Sequence, residues 1–257
     1  MHGMLRFAQR DAWGLIEVRS DETGETTLYF GNDTAQSGWY PDRPSELAFG
    51  YYRALLTALA LHPAPSHAML YGLGGGAVAR YLLEYTGLTV TAFDLRPTLA
   101  PIARDYFGLT LDHPRLALHF GDIADSTILA RLPPCDITLL DVFDEQGMVP
   151  VPAASLNTIA EQLGDEGILC VNVWRNALNP LVTLNQTIAR WFDPNPLSFP
   201  VPDRYNTVLC FRKNPWRAAD IDAAIERARQ WPQPVGEMLQ STLAWLARKP
   251  GRQLKPR

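Results

Sequence analysis

"MLYGLGGGAVARYLLEY", residues 69 to 85, is the stretch on which the fold turns. An apolar run gives way to four glycines within five positions, Gly72, Gly74, Gly75 and Gly76, and then to a helix-like segment. Glycine supplies positive φ in a tight turn and leaves out the Cβ where a ligand presses on the backbone. Strand, glycine turn and helix in that order open a nucleotide-binding sheet. Gly72-x-Gly74-x-x-Ala77 fits the G-x-G-x-x-A pattern, and Asp94 ends the next apolar run where an acid would hold ribose hydroxyls.

Working outward, the same theme recurs. "AMLYGL" precedes "AVARYLLEY", "LTVTAFDL" precedes "PTLAPIARDYFG", and "RLALHFGD" precedes "STILARL". "CDITLLDVF" then precedes "PAASLNTIAEQL", and "GILCVNVW" precedes "LVTLNQTIARWF". Strands alternating with helices in series predict parallel strands with helical crossovers, a doubly wound, Rossmann-like α/β sheet. "PLSFPV" and "YNTVLCFRK", parted by the turn "PDR", predict an antiparallel pair at its edge. Helices over about 216–231 and 235–248 close the chain, with Trp216, Ile221, Ile225 and Ala228 on a packing face.

Upstream, "GLIEVRS" and "TTLYFGN" read as strands around the turn "SDETGE", so residues 1–43 form a small N-terminal β-element and 44–257 the nucleotide-binding domain. A helix is predicted from Pro44 and Ser45, carrying Leu47, Tyr51, Leu55 and Leu59 on one face and ending at "HPAPSH".

The bulk properties narrow the function. The chain has 257 residues, is 47% hydrophobic and carries a net charge of -4 with interspersed signs, which argues against a nucleic-acid partner. No segment is apolar enough to span a membrane, and no secretory signal pattern opens the sequence, so a cytoplasmic protein is expected. Cys135, Cys170 and Cys210 read as buried thiols; with no metal-ligand spacing among them and the histidines, no metal site is expected. The basic tail "RKPGRQLKPR" reads as a solvated end.

The chemistry is carried by carboxylates. Asp122 follows the third strand, where it either accepts from an adenine amino group or caps the next helix. Asp141 leaves the fourth strand at the ligand-facing edge, and Asp144 follows. The histidines fall in linkers or in the third strand, as His119 does, and assemble no hydride-transfer site; a nicotinamide dehydrogenase is therefore disfavoured. A sulfonium cofactor such as S-adenosylmethionine fits better: its attack needs a neutral nucleophile, and a carboxylate that takes the amine's proton supplies that. Asp141 is the candidate base. The aromatic group Trp39, Tyr40, Tyr51 and Tyr52 lines a pocket or forms core.

"LYGLGGGAVAR", "FDLRPTLAPIARDYFGL", "HPRLALHFGDI" and "CDITLLDVFD" together resemble the spermidine synthase family of aminopropyltransferases, over roughly residues 25 to 175. The resemblance implies a small β-domain ahead of a methyltransferase-type sheet, a small-molecule acceptor, and S-adenosylmethionine or its decarboxylated form as co-substrate. It further implies that Gln36 contacts the amino-acid or aminopropyl part of the cofactor and that Gly72, Gly74 and Gly75 form the loop beneath it. Asp94 would hold the ribose, Asp122 would meet the adenine, and Asp141, Tyr51 and Asp144 would face the amine. It implies a homodimer as one use of the C-terminal helices, which packing within the monomer explains equally.

Three positions depart from the family pattern, one of them Glu145, which follows Asp144 where the acidic motif D-x-x-D-P has proline. Gly75 stands where an aspartate sits in the loop, and Arg53 where a glutamate binds the far ammonium of a diamine. Each lost charge-assisted hydrogen bond is worth on the order of 1.5–3 kcal/mol. Together the losses predict diamine binding weaker by roughly two to four decades. Three readings follow: transfer of an alkyl group to an amine or other small nucleophile, with aminopropyl transfer to a polyamine as the specific case; an S-adenosylmethionine-dependent methyltransferase; and a non-catalytic nucleoside-binding protein on the same scaffold.

Overall fold

The computed structural model describes residues 3–174, 184, 186–202 and 206–247. It opens with a four-stranded antiparallel sheet in the order β1 (Met4–Asp11), β2 (Gly14–Ser20), β3 (Thr26–Tyr29), β4 (Ala35–Trp39). The alternating apolar positions Ile16, Val18 and Leu28 are fully buried. β1 was not read from sequence because its pattern is nearly all exposed, and β4 because "AQSGW" has no alternation.

Seven further strands form the central sheet: β5 (His67–Tyr71), β6 (Thr89–Asp94), β7 (Leu116–Phe120), β8 (Cys135–Leu140), β11 (Leu163–Trp174), β12 (Leu197–Pro200) and β13 (Asn206–Phe211). Their order is β12-β13-β11-β8-β5-β6-β7. The inner pairings are parallel, and the last two strands are antiparallel as predicted. Ala68 and Leu70 of β5 join the hydrophobic cluster on one face, Met69 and Tyr71 that on the other, so both faces are covered. Between β8 and β11 lies a short hairpin of β9 (Phe143–Asp144) and β10 (Gly147–Met148).

The crossover helices are α3 (Ala77–Tyr85), α4 (Leu99–Phe107), α5 (Ser126–Leu129) and α6 (Ala153–Gln162). The predicted helix before β5 starts later than expected, as α1 (Gly50–Leu56), and breaks at Thr57 before α2 (Ala58–Leu61). Residues 41–49 instead turn on themselves, with Arg43 N–H bonded to Tyr40 O and Glu46 N–H to Arg43 O, and Phe49 still extended. α7 (Ala218–Gln230) meets α2, where Arg227 Nε donates to Ala60 O at 2.8 Å, and α8 (Val235–Ala247) packs on α7. Trp216 and Ala228 are buried and Ile221 and Ile225 half-buried, as that face requires. Cys135, Cys170 and Cys210 are buried free thiols. The "PDR" turn beyond Pro202, the start of the helix "LVTLNQTIARWF" and the basic tail lie outside the described residues.

β5 pairs with β6 on one side and β8 on the other, so chain order reverses there. That is the place where open α/β sheets hold ligands, beyond the carboxyl ends of the strands.

Candidate functional site

A cavity of about 980 Å³ opens at this reversal, walled by the strand ends and by the N-terminal sheet. Its floor is the glycine loop, whose geometry corrects one reading. The glycines are needed chiefly because the protein approaches itself. A Cβ on Gly72, at φ +99°, would lie 2.0 Å from Asp141 O, and one on Gly74, at φ +52°, 2.8 Å from Ser37 Oγ. Both glycines still line the cavity. Gly75, expected to touch the cofactor, is buried and absent from the lining; its N–H donates to Ser37 Oγ at 2.9 Å, and a Cβ there would sit 2.8 Å from the Phe107 ring.

Asp94, at the end of β6, is tied into the same loop. Oδ2 accepts from Leu73 N at 2.7 Å and Oδ1 from Arg96 N at 2.9 Å. Burial raises its pKa, against the backbone N–H groups of Arg96, Leu73 and Gly74, which lower it. A carboxylate offers about four acceptor positions, so capacity for ribose hydroxyls remains. Asp122 is exposed at the cavity wall; its Oδ1 accepts from Ala124 N at 2.8 Å. The cap of α5 is instead Asp125, which removes the capping explanation for Asp122.

Asp141 follows β8, its N–H held by Tyr71 O at 2.8 Å. Asn172 on β11 donates Nδ2 to Asp141 Oδ1 at 2.8 Å, and Asn206 on β13 donates Nδ2 to Asn172 Oδ1 at 3.0 Å. Burial pushes the Asp141 carboxyl up to about 6, while hydrogen bonds from Asn172 and Tyr51 pull it down. The single Tyr51 hydroxyl proton is also within reach of Gln36 O, at 3.2 Å, so Gln36, Tyr51 and Asp141 share one wall. Asp144 lines the mouth, its Oδ1 accepting from Gln146 N and Gly147 N in the β9–β10 turn. Of the aromatic group, Tyr51 and Tyr52 line the cavity; Trp39 and Tyr40 do not.

Among the described lining residues the charged groups are Asp94, Asp122, Asp141, Asp144, Glu145 and Arg96, and Arg96 is already paired with Asp11 at 2.7 Å. The wall is therefore net negative and suits a cationic occupant. No family model matches the chain. It is 29% identical over 239 residues to the polyamine aminopropyltransferase of Neisseria meningitidis serogroup A, covering 91% of this chain and 90% of that protein. It superposes on spermidine synthase solved with the transition state analogue AdoDATO at a TM-score of 0.74, with 14% identity over 94% of this chain and 85% of the other. The chain resembles the spermidine synthase family as a divergent relative.

Its curated relatives are aminopropyltransferases, which supports a transferase here. Human methyltransferase-like protein 13, solved with SAH, shares the fold at a TM-score of 0.61, with 19% identity over 79% of this chain and 95% of the other. The fold is thus common to aminopropyltransferases and methyltransferases.

Against the family pattern, Arg53 differs from expectation. It is exposed on the outer face of α1, its NH2 donates to Leu47 O at 3.2 Å, and it is not part of the cavity wall, so it exerts no repulsion inside. Sequence reading missed Asn172, Asn206, Ser37 and Arg96. The first two lie in strands that read as apolar, "LCVNVW" and "NTVLCF", where a lone asparagine among buried residues was the available signal.

Proposed function

We propose that this protein transfers an aminopropyl group from decarboxylated S-adenosylmethionine to an amine acceptor. The observation that carries the reading is Asp141: a buried carboxylate on the wall of an acidic cavity, oriented by Asn172, with a pKa that burial pushes up to about 6. The relative named polyamine aminopropyltransferase supports it.

The residues fit an adenosyl cofactor. Asp94 keeps acceptor capacity for a ribose, Asp122 is open at the wall, and Gly72 and Gly74 lie beneath with no side chain in the way. When bound, the cofactor's sulfonium supplies an electrophilic carbon and a neutral leaving thioether. Asp141 accepts the acceptor's ammonium proton at an oxygen lone pair that Asn172 leaves open, beside the Tyr51 hydroxyl. Proton transfer of this kind contributes about 10² to 10⁴-fold. The rest of the rate comes from holding the nitrogen in line with the carbon.

Methyl transfer is a second reading, and what favours it is the fold shared with human methyltransferase-like protein 13 solved with SAH. Calorimetry with both cofactors separates the two: tighter binding of the decarboxylated form supports aminopropyl transfer, and tighter binding of the carboxylated form supports methyl transfer.

A further inference from the structure

Among the described residues, four large hydrophobic side chains are exposed, and two of them, Trp13 at 45% and Leu95 at 37%, line the cavity. Trp13 sits in the tight turn joining β1 to β2, where Asp11 pairs with Gly14. Leu95 directly follows Asp94.

Arg96 ties these two places together. Its Nε donates to Asp11 Oδ2 at 3.0 Å and its NH2 to Asp11 Oδ1 at 2.7 Å and to Gly14 O at 3.2 Å. Its backbone N–H is the one held by Asp94 Oδ1, and Asp11 Oδ1 also accepts from Trp13 N at 2.9 Å. A continuous chain of hydrogen bonds therefore runs from Asp94 through Arg96 and Asp11 to Trp13. The Arg96 and Asp11 side chains are only 7% and 8% exposed, and the guanidinium lies 4.6 Å from the Phe30 ring centroid. A buried ion pair contributes little net stability over apolar packing. What this one does supply is position: it fixes the hairpin tip against the acid that ends β6. The bond to Trp13 N holds the backbone of the turn, and the indole it carries is half-exposed beside the cavity, a surface that suits a flat apolar partner.

We propose that Trp13 is a nucleoside-binding residue, its indole covering the outer face of the adenosyl group, with the Asp11–Arg96 pair as the device that positions it. This rests on the reading that the cavity takes an adenosyl cofactor and assigns the N-terminal hairpin a part in holding it.

The test is calorimetric titration with 5′-methylthioadenosine, which carries the nucleoside and thioether without an amine or carboxylate. Trp13→Ala should weaken binding about tenfold and Trp13→Phe less than threefold, with melting temperatures unchanged because the side chain is half-exposed. Equal affinity in wild type and Trp13→Ala overturns the proposal while leaving the cofactor reading intact. An altered self-association of Trp13→Ala with unaltered affinity also overturns it, in favour of a contact between copies. No binding by the wild-type protein overturns the cofactor reading, and this proposal with it.

Discussion

Asn172 on β11 and Asp141 beyond β8 are joined by a 2.8 Å hydrogen bond from Nδ2 to Oδ1, so a neighbouring strand sets the orientation of the buried carboxylate. Asn206 holds Asn172 in turn, which fixes the amide with its N–H toward Asp141. Replacing Asn172 with alanine removes a donor to the ionised form. The acid limb of the pH–rate profile should move to higher pH, with turnover at pH 7 reduced about tenfold. An unmoved profile would mean that Asn172 does not act through Asp141.

The raised pKa of Asp141 sets a second expectation, in which activity and stability run in opposite directions. Activity needs the carboxylate, so rate should rise with pH through about 6. For stability, the folded pKa lies above the ordinary value of 3.8, so folding favours the protonated acid. That contribution is complete below 3.8 and is lost as pH rises through about 6. At neutral pH the ionised group then destabilises the fold by roughly 3 kcal/mol, at 1.36 kcal/mol per unit. Asp141→Asn should therefore melt higher than wild type at pH 7.5 and equally at pH 4, while losing about 10² to 10⁴ in turnover. Thermal melts at the two pH values check this.

Restoring the family acid at position 75 should not restore a diamine ligand. The direction a Cβ would take from Gly75 leads into Phe107, at 2.8 Å, in the buried core. Overpacking there costs about 1–3 kcal/mol and a buried carboxylate adds to it. Gly75→Asp should melt lower and gain no affinity for diamines; tighter diamine binding would show that the loop can turn that position inward.

Arg53→Glu should likewise leave the KM for any amine acceptor unchanged within about twofold, since the side chain lies on the outer surface, away from the cavity wall. A large fall in KM would place the residue at the acceptor.

The parallel sheet was legible because each unit announced itself: β-formers such as "TVTAF", a turn acid or glycine, then helical spacing. Asp94 and Asp141 were legible for the same reason, since the ends of parallel strands point to one edge. What sequence hid was contact between distant segments. Ser37 under the glycine loop, Arg96 across to Asp11, and Asn172 to Asp141 each join residues from different sheets or different strands. No local pattern records such pairings. The side-chain directions at Gly75 and Arg53 were hidden too, because a motif position gives a neighbour in sequence and not a facing in space.

The central claim is that the cavity serves alkyl transfer to an amine with Asp141 as base. Its most direct test supplies the protein with both cofactor forms and a panel of mono-, di- and polyamines, and identifies the products by mass spectrometry. The account predicts 5′-methylthioadenosine together with an aminopropylated amine, both lost in Asp141→Asn. S-adenosylhomocysteine with a methylated product, or no nucleoside product with any amine despite measurable cofactor binding, would contradict it.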